Sequence, residues 1–552
     1  MLESLSLENF KGFGKRTRIP FAPITLIFGE NSAGKSSILH SLNLLKQTRE
    51  ARDIGAVLLP RTEHGTVDLG SFQEILFDHN LNKKLSIRIQ TNLRAPSFGN
   101  LRRESERAGI ESLGLELQFH RRTAKSEVEL SKLEVLLGES EKSFAKFKLA
   151  TEPPDRLRGR MYRSSGPEAR GPRRFMKCEW ISKSREIWNP GYQEVRQNRE
   201  EILDGLKEAE LQATGRLPKV ENDGSIIFYE GDDEREEQRK SLADFKTAIN
   251  FYSSNFTLAQ FIERMHKIQL RAELEMRGFV PTQRRRFQRF TLPELYMRRS
   301  QKDGGIRGSL LVSPQVPDVY ETTNLAGHAV DRVLEMLFPM GPFRRPPERW
   351  YIFTGTSPQD VGYRGDLLPD LLFRSKELVD EANEWLRKLE IGYTLDPRHV
   401  GKESGDLFEV RLNDERREGT VDVALPDVGF GISQILPFIV QSLASKQQII
   451  SIEQPEVHIH PRLQADLGDL LAYAIKSPRN NQFIIETHSE HLVLRLQKLV
   501  RQKKLKPEQV SIVYVCRGPD GAKANRLRLD EDGDFMDEWP GGFFPERLHE
   551  LE

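Results

Sequence analysis

Apolar and polar positions follow two different rhythms along this 552-residue chain. Leu5, Leu7 and Phe10, and then the run Ile24-Thr-Leu-Ile-Phe28, have strand character, and the second run leads straight into Gly29. Behind it Ser36, Leu39, Leu42 and Leu45 recur at helical spacing, so the pattern predicts a strand–loop–helix unit. From 85 to 149 the period is two: Leu85–Ile89, Leu113–Phe119, Val128–Leu137 and Phe144–Leu149 read as an antiparallel meander. Between 150 and 340 charged helical stretches (Gln193–Ala213, Glu234–Phe251, Thr257–Met276) stand among Arg-, Gly- and Pro-rich ones, with no long heptad run and no internal repeat. After Trp350 the α/β rhythm returns. A helix over Ser375–Leu389 precedes strands at Phe408–Leu412 and Val421–Leu425 and a helix from Ser433 through Leu443. Two continuous apolar strands follow, Gln448–Ile452 and Gln482–Glu486, of the type buried on both faces of a parallel sheet. Val510–Cys516 and a strand near Leu527–Leu529 close the pattern.

Composition narrows this picture only a little. Hydrophobic residues at 37% and charged ones at 30% describe an ordinary globular chain, and 83 basic against 82 acidic side chains leave a net charge of +1. Any affinity for nucleic acid must therefore be local. The only cysteines are Cys178 and Cys516, which excludes a disulfide framework or zinc ribbon and fits a reducing cytoplasm. Acidic residues interrupt the first ten positions, so no signal peptide is expected. No apolar run nears the ~18 residues that span a bilayer. A soluble, cytoplasmic protein without a membrane partner is expected.

The chemistry concentrates at a few motifs. Gly29-Glu-Asn-Ser-Ala-Gly-Lys-Ser36 fits the phosphate-binding pattern G-x-x-x-x-G-K-[ST] in the strand–helix context that the pattern requires. Its glycines let backbone N–H groups turn inward, Lys35 reaches the β/γ-phosphates and Ser36 ligates Mg²⁺. Gly29, Asn31, Ser32, Gly34, Lys35, Ser36 and Ser37 are thus the expected ATP contacts. The run Ile449-Ile-Ser-Ile-Glu453 delivers a carboxylate to a strand end, as a Walker B strand does for Mg²⁺. His488, at the tip of the next apolar strand, is placed to touch a γ-phosphate. Between the two Walker elements, Asp427-Val-Gly-Phe-Gly-Ile-Ser-Gln434 is a glycine-rich turn feeding a helix.

Together, residues 1–50 and 425–490 resemble the ABC-type ATPases of the RecF, SMC and OLD group. The resemblance implies an α/β P-loop NTPase fold, an ABC-type head carrying an antiparallel β meander and a mostly helical insertion. It divides the chain into 1–150 (first half of the head), 151–340 (insertion) and 341–552 (second half, with signature-like loop, Walker B, switch histidine and tail). It also implies ATP and Mg²⁺ as cofactors and a head-to-tail dimer, or a higher oligomer of this chain, with ATP between heads. Leu69–Phe72, Gly341–Arg344 with Pro347 and Arg349, Gly429–Pro437, Glu453–Pro461 and Trp539–Phe544 are similar to the ATPase subunit of Septu-type, including retron-associated, anti-phage systems. That likeness implies a partner effector, an HNH-type nuclease, in antiviral defence. Rival readings are a RecF/SMC-like DNA-repair or chromosome-maintenance ATPase and the ATP-binding subunit of a transporter.

Two departures from the group's pattern matter. Gln454 stands where these ATPases carry glutamate after the Walker B carboxylate. An amide accepts no proton, so hydrolysis is expected to be slow unless Glu456, His458 or Glu486 takes the role. The signature register is open as well: aligning Gly431 with the group's glycine puts Gly429 at the serine position, and Ser433 offers a hydroxyl one step later. Gln73 is either a Q-loop glutamine or an exposed polar residue after a turn. About 60 residues follow His488, fewer than a nuclease domain on the ~100-residue scale of α/β folds, so nuclease chemistry is expected on another polypeptide. The acidic stretch Asp530–Asp534 reads as a solvated turn. Arg156–Arg174, Arg284–Arg289 and Arg298–Arg307 mix arginine with aromatics and glycine, either as a nucleic-acid surface or as solvated or protein-docking faces.

Overall fold

The structure, a computed structural model, describes residues 1–51, 56–63, 65–107, 109–121, 123, 126–138, 142–149, 174–200, 202–204, 206–207, 246–269, 273–277, 279–281, 319–401, 406–416, 421–540 and 542. The expected strand–loop–helix unit is present: β1 (Leu2–Glu8), β2 (Thr17–Pro20) and β3 (Ile24–Gly29) precede α1 (Lys35–Glu50). The alternating stretch forms β4 (Leu85–Asn92), β5 (Ser112–His120), β6 (Glu129–Leu137) and β7 (Lys142–Leu149), with α2 (Asn100–Arg107) between β4 and β5. The region expected to be mostly helical holds α3 (Arg185–Gln197) and α4 (Leu258–Gln269), but also β8 (Arg174–Ile181), β9 (Glu273–Arg277) and β10 (Val280–Pro281). The arginine-rich stretches that raised the question of nucleic acid lie outside the described residues, Arg174 excepted.

In chain order there follow α5 (Val319–Met336), β11 (Leu337–Met340), β12 (Tyr351–Ile352), α6 (Leu368–Arg374), α7 (Lys376–Lys388), β13 (Tyr393–His399), β14 (Leu407–Asp414) and β15 (Val421–Ala424). The last third holds α8 (Phe430–Ala444), β16 (Ile449–Glu453), α9 (Pro461–Ala474), β17 (Gln482–Glu486), α10 (Glu490–Arg501), β18 (Val510–Gly518) and β19 (Gly521–Leu527). Serine side chains cap two of these helices by accepting from the third residue's N–H, Ser375 for α7 and Ser489 for α10, as N-cap hydroxyls do.

The chain folds into two compact units. One comprises Met1–Ser97, Leu117–Leu130 and Val330–Glu552, the other Phe98–Glu116 and Ser131–Ala329. The chain first leaves the first unit at Ser97 and returns to it for good at Val330. The meander's alternation is the same on either side of that crossing, so periodicity does not mark it. In the second unit β6, β7, β8, β9 and β10 pair antiparallel in succession.

The first unit is built on a six-stranded sheet of order β11–β16–β17–β3–β18–β19. Its first five strands are parallel and β19 returns antiparallel. β3 therefore sits between two strands that come more than 450 residues later. Beside it β1 pairs with both β2 and β4, Leu5 facing Ile19 and Ile89. β14 pairs with β12, β13 and β15 in a smaller antiparallel sheet. The core lies between the parallel sheet and its helices: Leu26, Ile450, Ile452, Phe483 and Ile485 pack with Leu436 and Ile439 of α8, Leu470 of α9 and Leu496 of α10. Each such side chain, fully buried, contributes about 1.5–3 kcal/mol. All five parallel strands point their carboxyl ends the same way, the edge at which open α/β sheets bind ligands.

Candidate nucleotide-binding site

The Gly29–Ser36 loop joins β3 to α1 at this edge, and its shape is dictated by close approach. Gly29 lies opposite Val515 of β18 at φ +139°, where a Cβ would stand 1.9 Å from the Val515 carbonyl oxygen. Gly34, at φ +107°, is the N-cap of α1, and no side chain caps that helix. The first N–H groups of α1 consequently face the loop, an arrangement suited to phosphate. Lys35 is buried, and its Nζ donates to the carbonyls of Gly29 (2.9 Å) and Glu30 (2.8 Å). Asn31 and Ser32 are exposed on the loop, Ser32 in the left-handed region at φ +59°, and Arg517 of β18 donates to the Ser32 carbonyl at 3.1 Å. Ser37 is buried in the first turn.

Parallel pairing brings the Walker B carboxylate to the same place, because Glu453 and Glu486 are register partners at the ends of β16 and β17. The Ser36 hydroxyl donates to Glu486 Oε1 at 3.0 Å. His40, one turn into α1, lies 3.5 Å from Glu453 Oε1. Gln454 takes a left-handed backbone, φ +43°, and donates its N–H to the Glu486 carbonyl at 2.7 Å. Glu456 Oε1 accepts from the His488 backbone N–H at 2.6 Å. Ser36, Glu453, Gln454, Glu456 and His488 thus gather around one strand edge. Glu486, one of the candidate replacements for the missing base, is at the same edge, and His40 and Arg517 join it without having been singled out as members of the site.

Gln73, Ser433 and Gly431 each make contacts within the protein. Gln73 is exposed, and its amide donates to the His79 carbonyl at 3.4 Å. The Ser433 hydroxyl turns back into its own helix, donating to the Phe430 carbonyl at 2.8 Å. Gly431 is needed for packing, since a Cβ there would meet the His458 carbonyl oxygen at 2.3 Å, whereas Gly429 at the N-cap of α8 faces open space. Between the two register alternatives, Gly429 is the one whose position is unobstructed.

Burial governs the electrostatics. It pushes the Glu486 carboxyl up, opposed by the Ser36 hydrogen bond, and pushes Glu456 up as well. The His488 imidazole is driven down by burial and then by the nearby Lys35 charge, so it is neutral at pH 7. Glu456 Oε2 and Glu486 Oε2 are buried with no partner among the described residues. Orphan carboxylate oxygens beside a serine hydroxyl and an uncapped helix suit a hard, oxygen-seeking cation with phosphate. The residues present fit Mg²⁺ and a nucleoside triphosphate.

The family described as "AAA ATPase domain" matches residues 1–153 and 374–493. No curated protein matches the chain. Among solved structures, it is similar to the Smc head domain of Pyrococcus furiosus with an extended coiled coil bound to the C-terminal domain of ScpA (12% identity, 96% of each chain, TM-score 0.35). It is likewise similar to the SMC head domain of Thermotoga maritima (10% identity, 95% of this chain and 98% of that one, TM-score 0.32). No helix among the described residues is long and apolar enough to cross a membrane. The phosphate-binding loop, Glu453 and His488 converge on one sheet edge, and residues 1–153 and 374–493, which carry them, are the two separated stretches that match an AAA ATPase domain.

Proposed function

We propose that this protein binds ATP with Mg²⁺, hydrolyses it slowly and pairs head to tail around it, using the nucleotide state to control a partner effector. The observation that carries this reading is Gln454. Its backbone is fixed by the hydrogen bond to Glu486, so an amide, not a carboxylate, occupies the position beside the Walker B residue. Ser36 and Glu453 would hold Mg²⁺, which neutralises phosphate charge when bound. Lys35 exchanges its two carbonyl partners for phosphate oxygens, and the N-terminus of α1 supplies further N–H donors. His488, neutral, offers one ring nitrogen as a donor to the terminal phosphate. Glu456 is a candidate substitute for the missing base, its carboxyl aligned by the His488 N–H. Without a carboxylate at 454 the bound state outlasts the encounter, which suits a clamp or timer.

The antiviral setting, the nuclease partner and the cytoplasmic location are supported by the sequence resemblance to Septu-type ATPase subunits. Light scattering tests the clamp: the mass is expected to double with MgATP and to stay that of a monomer with MgADP or with Lys35→Ala. A mass independent of nucleotide refutes it. Copurification from the native host distinguishes a nuclease partner from the DNA-repair assembly of the rival reading.

A further inference from the structure

Arg344 has no part in the chemistry described so far. It lies four residues beyond Met340, which pairs with Ile452 where β11 runs parallel to β16. The chain thus reaches Arg344 at the carboxyl edge of the sheet, where β16 delivers Glu453. Its backbone is held from behind. Arg344 N–H donates to Gln434 Oε1 of α8 at 3.3 Å, Gly341 N–H to the Tyr363 carbonyl at 3.0 Å and Arg345 N–H to the Arg364 carbonyl at 2.8 Å. A Cβ on Gly341 would stand 2.9 Å from the Tyr363 ring, so glycine allows this close approach.

The side chain is 5% exposed. Nη1 donates to the Pro342 carbonyl at 3.1 Å, whereas Nε and Nη2 are buried and have no partner among the described residues. The Glu456 and Glu453 carboxylates are near enough to attract the guanidinium, and burial pulls its pKa down to about 10. Glu456 Oε2 is likewise without a partner, so cation and carboxylate attract across a gap rather than bond. A buried guanidinium stays charged and carries a rigid planar fork of donors. Leaving one edge of that fork empty is unfavourable unless an anion completes it. Nε and Nη2 form that one edge, and two parallel N–H donors match two oxygens of a phosphate.

We propose that Arg344 is the terminal-phosphate ligand of this site, the residue by which it distinguishes ATP from ADP. Lys35 and the N-terminus of α1 serve phosphates that both nucleotides carry, while Arg344 waits at the far end of the Walker B strand. Because its backbone is bonded to Gln434, the same residue ties the terminal phosphate to the signature helix. The inference rests on the reading of the site as ATP-binding.

Calorimetric titration of the full chain with Mg²⁺ and either AMP-PNP or ADP separates the two claims. Wild type is expected to bind both, AMP-PNP more tightly. Arg344→Met keeps the apolar stem and should lose about tenfold to a hundredfold in AMP-PNP affinity with ADP affinity unchanged, and Arg344→Lys should fall between. Lys35→Ala should lose both nucleotides. If wild type binds neither, the ATP reading itself fails and takes this inference with it. If Arg344→Met binds both as wild type does, Arg344 is structural and the proposal is overturned while the ATP site stands. Should the variants not fold, hydrogen exchange of wild type decides: protection of 341–349 by AMP-PNP but not ADP supports the proposal, and equal protection overturns it.

Discussion

At Gln454 a carboxamide follows the strand-end carboxylate Glu453, on a left-handed backbone whose N–H donates to the Glu486 carbonyl, and on the proposed reading this is where a carboxylate would take a proton from attacking water. Restoring the carboxylate should therefore act on rate rather than on binding. Gln454→Glu is expected to raise ATP turnover on the order of 100-fold, the scale of a positioned general base, with little change in nucleotide affinity. Phosphate release by the purified protein measures it, and an unchanged rate would place the base elsewhere. The motif residues were legible in the sequence because each type announces its chemistry at a fixed spacing. His40 was not, since a histidine in an apolar-stripe helix has no signature until β16 is laid beside α1. Arg344 was visible only as one member of a family-like stretch. Its meaning depends on β11 pairing with β16, which lies about 110 residues further along.

Among the elements, β3, α1, β16 and β17 could be read directly from apolar runs and the phosphate-binding loop. β11 was hidden because Leu337–Met340 follows α5 without a break, so its apolar residues continue the helix pattern. β8 and β9 carry alternating charge that passes for a helical surface. Where an element is fixed by backbone contact, substitution should be severe. Gly29→Ala places a methyl 1.9 Å from the Val515 carbonyl at φ +139°, and a loss of about 3 kcal/mol or more is expected, read as a lower urea midpoint. The stretch after β19 is held differently. Trp539 meets Phe28, Tyr514 and Phe535 edge-on at 5.8, 5.7 and 5.4 Å, and Asp537 is clasped by Arg528 at 2.7 and 3.0 Å. The guanidinium hydrogen bond, with the Arg528 backbone N–H, holds the Asp537 carboxyl at about 2. Its folded value lies below its ordinary one, so the stabilisation is full above pH ~4 and disappears as pH falls through about 2. Asp537→Asn should abolish that portion of the acid transition in Trp fluorescence while leaving stability well below pH 2 unchanged.

On the scale of the whole molecule, the unit built on the parallel sheet is assembled from chain segments far apart in sequence. Gln482 makes this plain: its amide donates to the carbonyls of Leu2 (2.8 Å) and Ala22 (3.1 Å), and its Oε1 accepts from the Leu2 N–H. Such non-local pairing slows folding, because loop closure precedes any reward from contact. A fragment ending at residue 153 holds the complete phosphate-binding loop, yet it is expected to be unfolded by circular dichroism and unable to retain nucleotide. The position of β3 between β17 and β18 has a consequence for synthesis. At ~5–20 residues per second, the loop leaves the ribosome roughly 20–90 seconds before the strands that flank it. During that interval the apolar faces of β3 and α1 have no sheet to cover them. A chain that stops short of β17 and β18 therefore carries the phosphate-binding loop without the strands that hold it in the sheet.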